Sequence, residues 1–317
     1  MIIRDSAQHL QRWIRALAYL VSGFGVLAAG TGIVTAWGHV HSSFVTLRGE
    51  TVSIQGGGLY GHDSVSGASQ AIGQDFVTVL VAVPLLLVAT RMASTGSVRG
   101  HLMQAGALAY FAYTYLLMAF GATYNELFLV YVALFSASAF GFVLSVISFD
   151  AARLQDHFSP RFRRRTVGWA LIGFGALLTL MWLGRIVPAL FTGKTPPGLE
   201  NYSTLFVQAG DLGIVIPIAI VAGSLLVRGQ AFGYVLAPVM LVMASAFGLA
   251  LLAMSASMAL AGVAIAMAEL VIFSSLALIF LVATVHTLSS VRRRPRAAPM
   301  GDSPMLAGGR SAAQVVA

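Results

Sequence analysis

Cysteine is absent from the 317 residues of this chain, and lysine occurs once, as Lys194. Without thiols the protein can form no disulfide, no cysteine-ligated zinc site and no iron–sulfur cluster. Charged side chains are also scarce: they make up 9% of the chain, while 58% is hydrophobic and the mean hydropathy is +0.85. No soluble core needs that much apolar surface, so the composition predicts an integral membrane protein.

Eight apolar runs are long enough to cross a bilayer as helices, which predicts an all-α integral membrane protein with eight transmembrane helices. The first run, residues 16–37, exceeds the usual hydrophobic region of a cleaved signal peptide and no clean cleavage site follows it. We therefore interpret it as a span. The second and sixth runs end at Arg91 and Arg228. The other five cover about residues 101–122, 127–149, 167–191, 231–258 and 262–288.

The arginines are concentrated on one side of this eight-helix arrangement. They occur at residues 4–15, 91–99, 161–165, 228 and 292–296, whereas Arg48 and Lys194 lie on the opposite side with most of the exposed acids. The positive-inside rule therefore predicts that the N- and C-termini are both cytoplasmic. We expect a multi-pass protein of the inner membrane of a bacterium.

The formal net charge of +8 would suggest nucleic acid as a partner if the protein were soluble. Here the basic residues lie in short segments between apolar runs, so we expect no nucleic-acid binding. Residues 161–165 and 292–296 should instead bind anionic lipid headgroups at the cytoplasmic face, at about 1 kcal/mol per residue. Membrane lipids and a small solute or ion are the expected partners, and nothing in the sequence indicates an oligomeric state.

Two segments of the chain resemble each other. Residues 64–91 and 203–228 each place glutamine and aspartate ahead of an apolar run that a proline interrupts and an arginine ends. We interpret them as parts of two parallel four-helix units, although apolar segments can also look alike without a duplication. The predicted organisation is a first unit over 1–158 with a long outer loop at 38–73, a second unit over 159–291 with an outer loop at 192–202, and a disordered basic cytoplasmic tail over 292–317.

Asp75 and Asp211 are the main candidates for a functional site. They precede Arg91 and Arg228 by 16 and 17 residues, which puts both acids about 24–26 Å from their arginines in a helix. If the arginines mark one interface, the acids lie at matching depth just inside the other. An ionisable group in hydrocarbon is costly and often belongs to a transport pathway. The alternative is that each acid caps a helix that begins at the interface.

Further polar residues lie near these two acids in the predicted arrangement. Tyr110 is too deep for an interfacial belt, so its hydroxyl group needs an internal partner, for which a backbone carbonyl is the expected choice. Glu126 and Glu269 lie near the outer ends of their helices, and Arg185 on the same side can pair with one of them. The complete set of pathway candidates is Asp75, Asp211, Gln70, Gln74, Gln208, Tyr110, Tyr113, Glu126, Glu269 and Arg185.

A metal site is a weaker possibility in the first outer loop. Imidazole and carboxylate groups can bind zinc or copper, and His39, His41, His62 and Asp63 lie in or beside this loop. Histidines in loops are more often simply solvated. No motif calls for an organic cofactor, so none is expected.

The sequence favours a small-solute or ion transporter with paired acidic residues near its outer side. One alternative is a membrane-embedded enzyme or assembly factor that acts at the extracytoplasmic face through the loops 38–73 and 192–202. Another is a non-catalytic subunit of a larger complex. No metalloprotease, serine-hydrolase or dinucleotide-binding motif occurs in a suitable context, so a role as an enzyme is the less favoured reading.

Overall fold

The computed structural model describes Ile3, residues 7–38 and residues 40–292. These residues form a helical bundle with one small hairpin, and eight helices are long and apolar enough to cross a membrane. The chain thus has the architecture of a multi-pass membrane protein, as its composition predicts. The predicted tail lies outside the described residues from position 293 onward. The helices are α1 Leu10–Val34, α2 Val65–Ser94, α3 Val98–Phe120, α4 Phe128–Ser148, α5 Arg164–Thr192, α6 Phe206–Arg228, α7 Gly233–Leu260 and α8 Met267–Ser290.

The segments between the helices are short or tightly packed. The loop after α1 contains the antiparallel hairpin β1 Ser42–Val45 and β2 Thr51–Ile54. A short helix, Ala151–Gln155, lies between α4 and α5, where Asp150 caps it by accepting a hydrogen bond from the Arg153 backbone N–H at 3.2 Å.

Contacts between helix ends assign each loop to one of two sides. Arg99 at the start of α3 donates to the carbonyl of Val291 at 2.8 Å, and Arg164 at the start of α5 donates to the carbonyl of Leu226 at 3.0 Å. We call this side the basic end and the opposite side the acidic end. The described arginines of the basic end are Arg12, Arg15, Arg91, Arg99, Arg153, Arg161, Arg163, Arg164, Arg165, Arg228 and Arg292.

The bundle is organised around α3 and α7. In each of these two helices, 67% of the most apolar 18-residue segment is buried inside the protein. In α5 and α8 the buried share of the corresponding segment is 11%. The helix α7 packs against α2, α3 and α8, while α1 packs against α4 and α2, and α5 against α6. Small residues permit the closest of these approaches. A Cβ atom built on Gly73 of α2 would come within 2.6 Å of the Ala253 carbonyl oxygen in α7.

Two of the spanning helices contain a π-helical segment directly ahead of a proline. These segments are Thr78–Ala82 in α2, before Pro84, and Asp211–Val215 in α6, before Pro217. Proline lacks a backbone N–H and its ring clashes with the preceding turn, so the helix widens locally. Such segments are common at functional sites. Asp75 lies one turn before the first, and Asp211 is the first residue of the second.

The second span begins earlier than the sequence analysis predicts. The helix α2 starts at Val65, because the Ser64 side chain caps it by accepting a hydrogen bond from the Gly67 N–H at 2.9 Å. Residues 65–73, predicted to belong to the outer loop 38–73, therefore form the first turns of α2. Because Ser66, Ser69 and Gln70 interrupt the apolar sequence here, hydrophobicity alone does not mark the start of this helix. Asp75 lies well inside α2, and the helix-capping alternative for it is wrong.

Candidate functional site

Asp75 is a buried carboxyl group within a membrane-spanning helix. Its exposed fraction is 6%, and it accepts a hydrogen bond on Oδ2 from the hydroxyl group of Tyr60 at 2.7 Å. Tyr60 belongs to the loop after β2, which folds inward so that this side chain is 3% exposed. On α1, Gly32 makes room for the pair, since a Cβ atom there would overlap Asp75 Oδ2 and approach the Tyr60 hydroxyl oxygen to 2.9 Å.

The surroundings of Asp75 are polar but uncharged. Its carboxyl group interacts electrostatically with the hydroxyl groups of Tyr110, Tyr115 and Tyr131 as well as Tyr60. Tyr115 and Tyr131 stack with their ring centroids 5.9 Å apart. Among the described residues, no arginine, lysine or histidine side chain pairs with Asp75. We call Asp75, Tyr60 and Gly32 the Asp75 site.

Gln74 forms a second polar layer beside this site. Its side-chain amide donates to the hydroxyl group of Tyr110 and, at 3.1 Å, to that of Thr114. Tyr110 thus has the internal partner that its depth requires, although the partner is an amide rather than the expected backbone carbonyl. The Thr78 hydroxyl group donates to the Gln74 backbone carbonyl at 2.9 Å. The Gln74 Oε1 atom is buried without a hydrogen-bond partner.

A small pocket lies at the acidic end, and its lining includes Tyr131, a neighbour of the Asp75 site. Its volume is about 90 Å³, which is room for about three water molecules at roughly 30 Å³ each. The loop between α3 and α4 forms its rim with Thr123 and Tyr124, and Asn125 and Tyr131 lie deeper. The Asn125 side-chain amide donates to the Tyr131 hydroxyl group at 3.4 Å, and Tyr131 in turn interacts with the hydroxyl group of Tyr60.

Asp211 lies between the two halves of the protein. It accepts hydrogen bonds from the hydroxyl group of Tyr113 on α3 and, at 2.8 Å, from the indole N–H of Trp182 on α5. The Arg185 guanidinium lies 5.6 Å from the centre of the Trp182 ring. It also pairs with Glu269 of α8, and both of these side chains are partly exposed.

The remaining candidates have ordinary surroundings. Gln70 donates to the Ser66 hydroxyl group at 3.2 Å, one turn away on the same helix. Gln208 is 9% exposed and has no hydrogen bond from its side chain among the described residues. Glu126 is exposed to solvent. The structure therefore brings together Gln74, Asp75 and Tyr110 in one cluster, Asp211 and Tyr113 in another, and Arg185 and Glu269 in a third.

The two acids do not occupy matching positions relative to the turns that follow them. The α2–α3 and α6–α7 turns each contain a glycine with positive φ, Gly96 at +78° and Gly229 at +73°. Asp75 precedes its turn glycine by 21 residues and Asp211 by 18. Counted from these glycines, Asp211 is three residues nearer its turn than Asp75 is, which is about 4.5 Å along a helix and slightly less than one turn. Arg91 and Arg228, which end the two apolar runs, are not equivalent reference points for depth. Arg91 lies several residues before Gly96, whereas Arg228 is directly adjacent to Gly229.

Three functional neighbours of the acids escape the sequence analysis: Tyr60, Gly32 and Trp182. The signal available for Tyr60 is an aromatic residue inside a glycine-rich outer loop, where a fully solvated aromatic is unexpected. Gly32 and Trp182 lie on helices whose rotation about their axes is set only by packing. Nothing in their local sequence identifies them.

No metal site is apparent in the part of the chain that the structure describes. No group of three His, Cys, Asp or Glu side chains is close enough there to hold an ion. His41 and His62 are exposed, and His39 lies outside the described residues. Asp63 is 3% exposed and accepts hydrogen bonds from the Thr123 backbone N–H and the Tyr202 hydroxyl group, both at 3.1 Å.

Asp63 also joins two loops of the acidic end, the one after α1 and the one before α6, beside the Asp75 site. Two further hydrogen bonds join the same segments. Ser64, next to Asp63, donates to the Glu200 carboxylate, and the Asn201 side-chain amide donates to the backbone carbonyl of His62 at 3.0 Å. The loop that carries Tyr60 is therefore anchored to the segment before α6. Most of these polar groups bond to one another, although the Asn201 Oδ1 atom is buried without a hydrogen-bond partner.

The stability of this loop should depend on pH through Asp63. Burial raises the pKa of its carboxyl group, against the opposing effect of the hydrogen bonds from Thr123 and Tyr202 and of nearby His62. A raised folded-state pKa favours the folded loop at low pH, and this contribution is lost as the pH rises through that pKa. We expect hydrogen exchange in residues 56–63, corrected for intrinsic rates, to be better protected at pH 4 than at pH 7. In Asp63→Asn the difference should vanish, and an unchanged pH dependence in this variant would contradict the assignment.

Comparison with known proteins gives no match: no family model, no curated protein and no solved structure is similar to this chain.

Proposed function

We propose that this protein is a membrane transporter for a small solute or ion, with Asp75 as its principal binding group. The observation that carries the proposal is a carboxyl group buried in a spanning helix, with a tyrosine hydroxyl as its hydrogen-bond partner and no cationic partner among the described residues. Burying an unpaired carboxylate costs several kcal/mol. A site of this kind is retained at that cost where it binds and releases a proton or another cation.

Asp211 is the proposed second acidic site on the pathway. It too has a tyrosine hydroxyl as a partner, and both acids adjoin a π-helical segment followed by proline. Freed backbone groups in such segments are tolerated in membranes where protein or a water-filled path surrounds them. Because the outer loops use their polar groups on each other, this proposal is preferred to an enzyme or assembly factor at the outer face.

The proposed orientation follows the distribution of arginine. The basic end would face the cytoplasm of a bacterial cell and bind anionic lipid headgroups there. The acidic end, with Asp75 and the small pocket, would then face outward. Both termini would be cytoplasmic.

We also propose that residues 1–158 and 159–291 are two parallel copies of one four-helix unit. Three pairs of residues support this at a constant offset of 133: Pro84 with Pro217, the turn glycines Gly96 with Gly229, and the packed glycines Gly100 with Gly233. In this register Asp211 corresponds to Thr78, and Gln208 corresponds to Asp75. Each half would then carry its acid at a position where the other half has an uncharged polar residue.

The helices α1 and α5 support the same correspondence. A Cβ atom on Gly25 would contact Val83, just before the proline of α2, and one on Gly175 would contact Ile216, just before the proline of α6. Seven residues further along each helix are Gly32 and Trp182. Each of these contacts the acid of its own half.

Replacement of Asp75 by asparagine tests the transport proposal. Purified protein in vesicles on a solid-supported membrane is exposed to concentration jumps of H⁺, Na⁺ and K⁺, and the transient current is recorded. We expect a current from at least one of these ions in the wild type and its loss in Asp75→Asn, because the amide neither ionises nor attracts a cation. Glu126→Gln removes an exposed acid from the same end and should leave the current unchanged. Equal currents in wild type and Asp75→Asn, or no current in the wild type, would refute the proposal.

A further inference from the structure

We infer that the ion bound at Asp75 is a proton, and that it arrives from the acidic end through the hydroxyl groups of Tyr131 and Tyr60. This inference rests on the proposed function and adds the identity of the ion and its route. It is drawn from a series of polar groups between the small pocket and the buried acid, in which Asn125 and Tyr131 form the outer part and Tyr60 and Asp75 the inner part.

The series begins at the pocket between α3 and α4. Asn125 donates to the Tyr131 hydroxyl oxygen at 3.4 Å, and so orients the phenol at the inner side of the pocket. The Tyr131 hydroxyl lies near that of Tyr60 without a direct hydrogen bond between them, so the two groups must turn toward each other for transfer, and Tyr60 donates to Asp75 at 2.7 Å. The exposed fractions of Tyr131, Tyr60 and Asp75 are 2%, 3% and 6%. The last two steps are thus shielded from bulk water.

The space around Asp75 suits a proton better than a larger cation. The backbone of α1 closes on the carboxyl group so tightly that Gly32 cannot carry even a methyl group. A metal cation needs several oxygen ligands at fixed distances, whereas a proton needs only a lone pair and one acceptor. The Tyr60 hydroxyl is the one hydrogen-bond partner of the Asp75 carboxyl group among the described residues.

The transfer moves one proton without leaving charge on either phenol. A proton from solvent in the pocket bonds to the Tyr131 oxygen as the Tyr131 O–H proton passes to the Tyr60 oxygen. The Tyr60 O–H proton passes in turn to Asp75 Oδ2. At each oxygen one O–H bond forms and one breaks, and rotation of the two hydroxyl groups resets the relay. Tyrosine hydroxyls serve in proton transfer in this way within buried networks.

In the part of the chain that the structure describes, the ionisable neighbours of Asp75 are tyrosines, with no second carboxyl group and no basic side chain paired with it. The loop contributes Tyr60, α3 contributes Tyr110 and Tyr115, and α4 contributes Tyr131. From α1 the neighbour is Gly32, and α7 contains no acidic or basic residue along its length. Asp63, buried in the same loop as Tyr60, is the other carboxyl group beside this route, so the pH dependence of binding should show the titrations of Asp75 and Asp63.

Tyr131→Phe tests the route. The substitution keeps the ring that stacks on Tyr115 and removes only the hydroxyl group. In vesicles, we expect it to slow the current from a pH jump at least about tenfold while the melting temperature stays within a few degrees of wild type. Tyr60→Phe should slow it similarly. Tyr124→Phe, at the exposed rim of the same pocket, is the matched control and should retain the wild-type rate.

The possible results separate this inference from the proposed function. A current that depends on Asp75 and responds to Na⁺ or K⁺ but not to a pH jump would overturn the proton assignment and leave the transporter. Wild-type rates in both Tyr131→Phe and Tyr60→Phe, with Asp75→Asn inactive, would overturn the route alone. Full activity in Asp75→Asn would overturn both. A solvent deuterium isotope effect that is present in the wild type and altered in Tyr131→Phe would distinguish proton relay from a structural role of the ring.

Discussion

Gly32→Ala is expected to abolish the current of this protein and lower its melting temperature, whereas Gly30→Ala on the same helix is expected to change neither. The Cβ atom of alanine at position 32 would overlap Asp75 Oδ2 and press on the Tyr60 hydroxyl group. A Cβ atom at position 30 has no neighbour within 4 Å. The two substitutions have the same chemistry, so their difference isolates the contact with Asp75.

The expected loss of stability in Gly32→Ala follows from overpacking in a closed site. Adding a methyl group to a well-packed interior typically costs about 1–3 kcal/mol. Exchange of glycine for alanine in a helix by itself stabilises by roughly 0.5–1 kcal/mol, so Gly30→Ala should be neutral or slightly stabilised. The measurements are the thermal unfolding of purified protein in detergent and the current in vesicles. A Gly32→Ala protein as stable and active as Gly30→Ala would show that α1 does not close on Asp75.

Gly73→Ala is expected to destabilise the contact between α2 and α7. The added Cβ atom would lie 2.6 Å from the Ala253 carbonyl oxygen and from the Met254 backbone nitrogen. Because these are backbone atoms of a central helix, no side-chain rotation relieves the overlap. The two helices must separate by a few tenths of an ångström or more, which loosens the layer that holds Gln74.

Thermal unfolding again provides the measurement, with Gly173→Ala as the control. Gly173 on α5 has open space around its Cα, and alanine there should not lower the melting temperature. We expect Gly73→Ala to lose about 1–3 kcal/mol against this control. An equal melting temperature for the two variants would mean that α2 and α7 are not packed as closely as the structure has them.

The number and kind of the spanning helices follow from the sequence alone. The thickness of the hydrocarbon core sets the length of an apolar run, and a chain in lipid must satisfy its backbone groups within helices. Both constraints act locally, so composition and run length suffice to predict the eight helices. The start of α2 is different, because Ser64 and Ser69 are covered by protein and the apolar signal begins only after Asp75.

The neighbours of the two acids are decided by the tertiary structure. Tyr60 reaches Asp75 by the inward fold of a loop, and Asp211 meets Tyr113 from a helix 98 residues earlier in the chain. Such pairings depend on how each helix is rotated and how closely it approaches the next, which glycines at positions such as 32 and 73 control. From the sequence alone, the acids stand out because a charge in lipid is costly wherever it lies. Which hydroxyl and indole groups stabilise them depends on contacts between distant segments, and no local pattern of residues encodes those contacts.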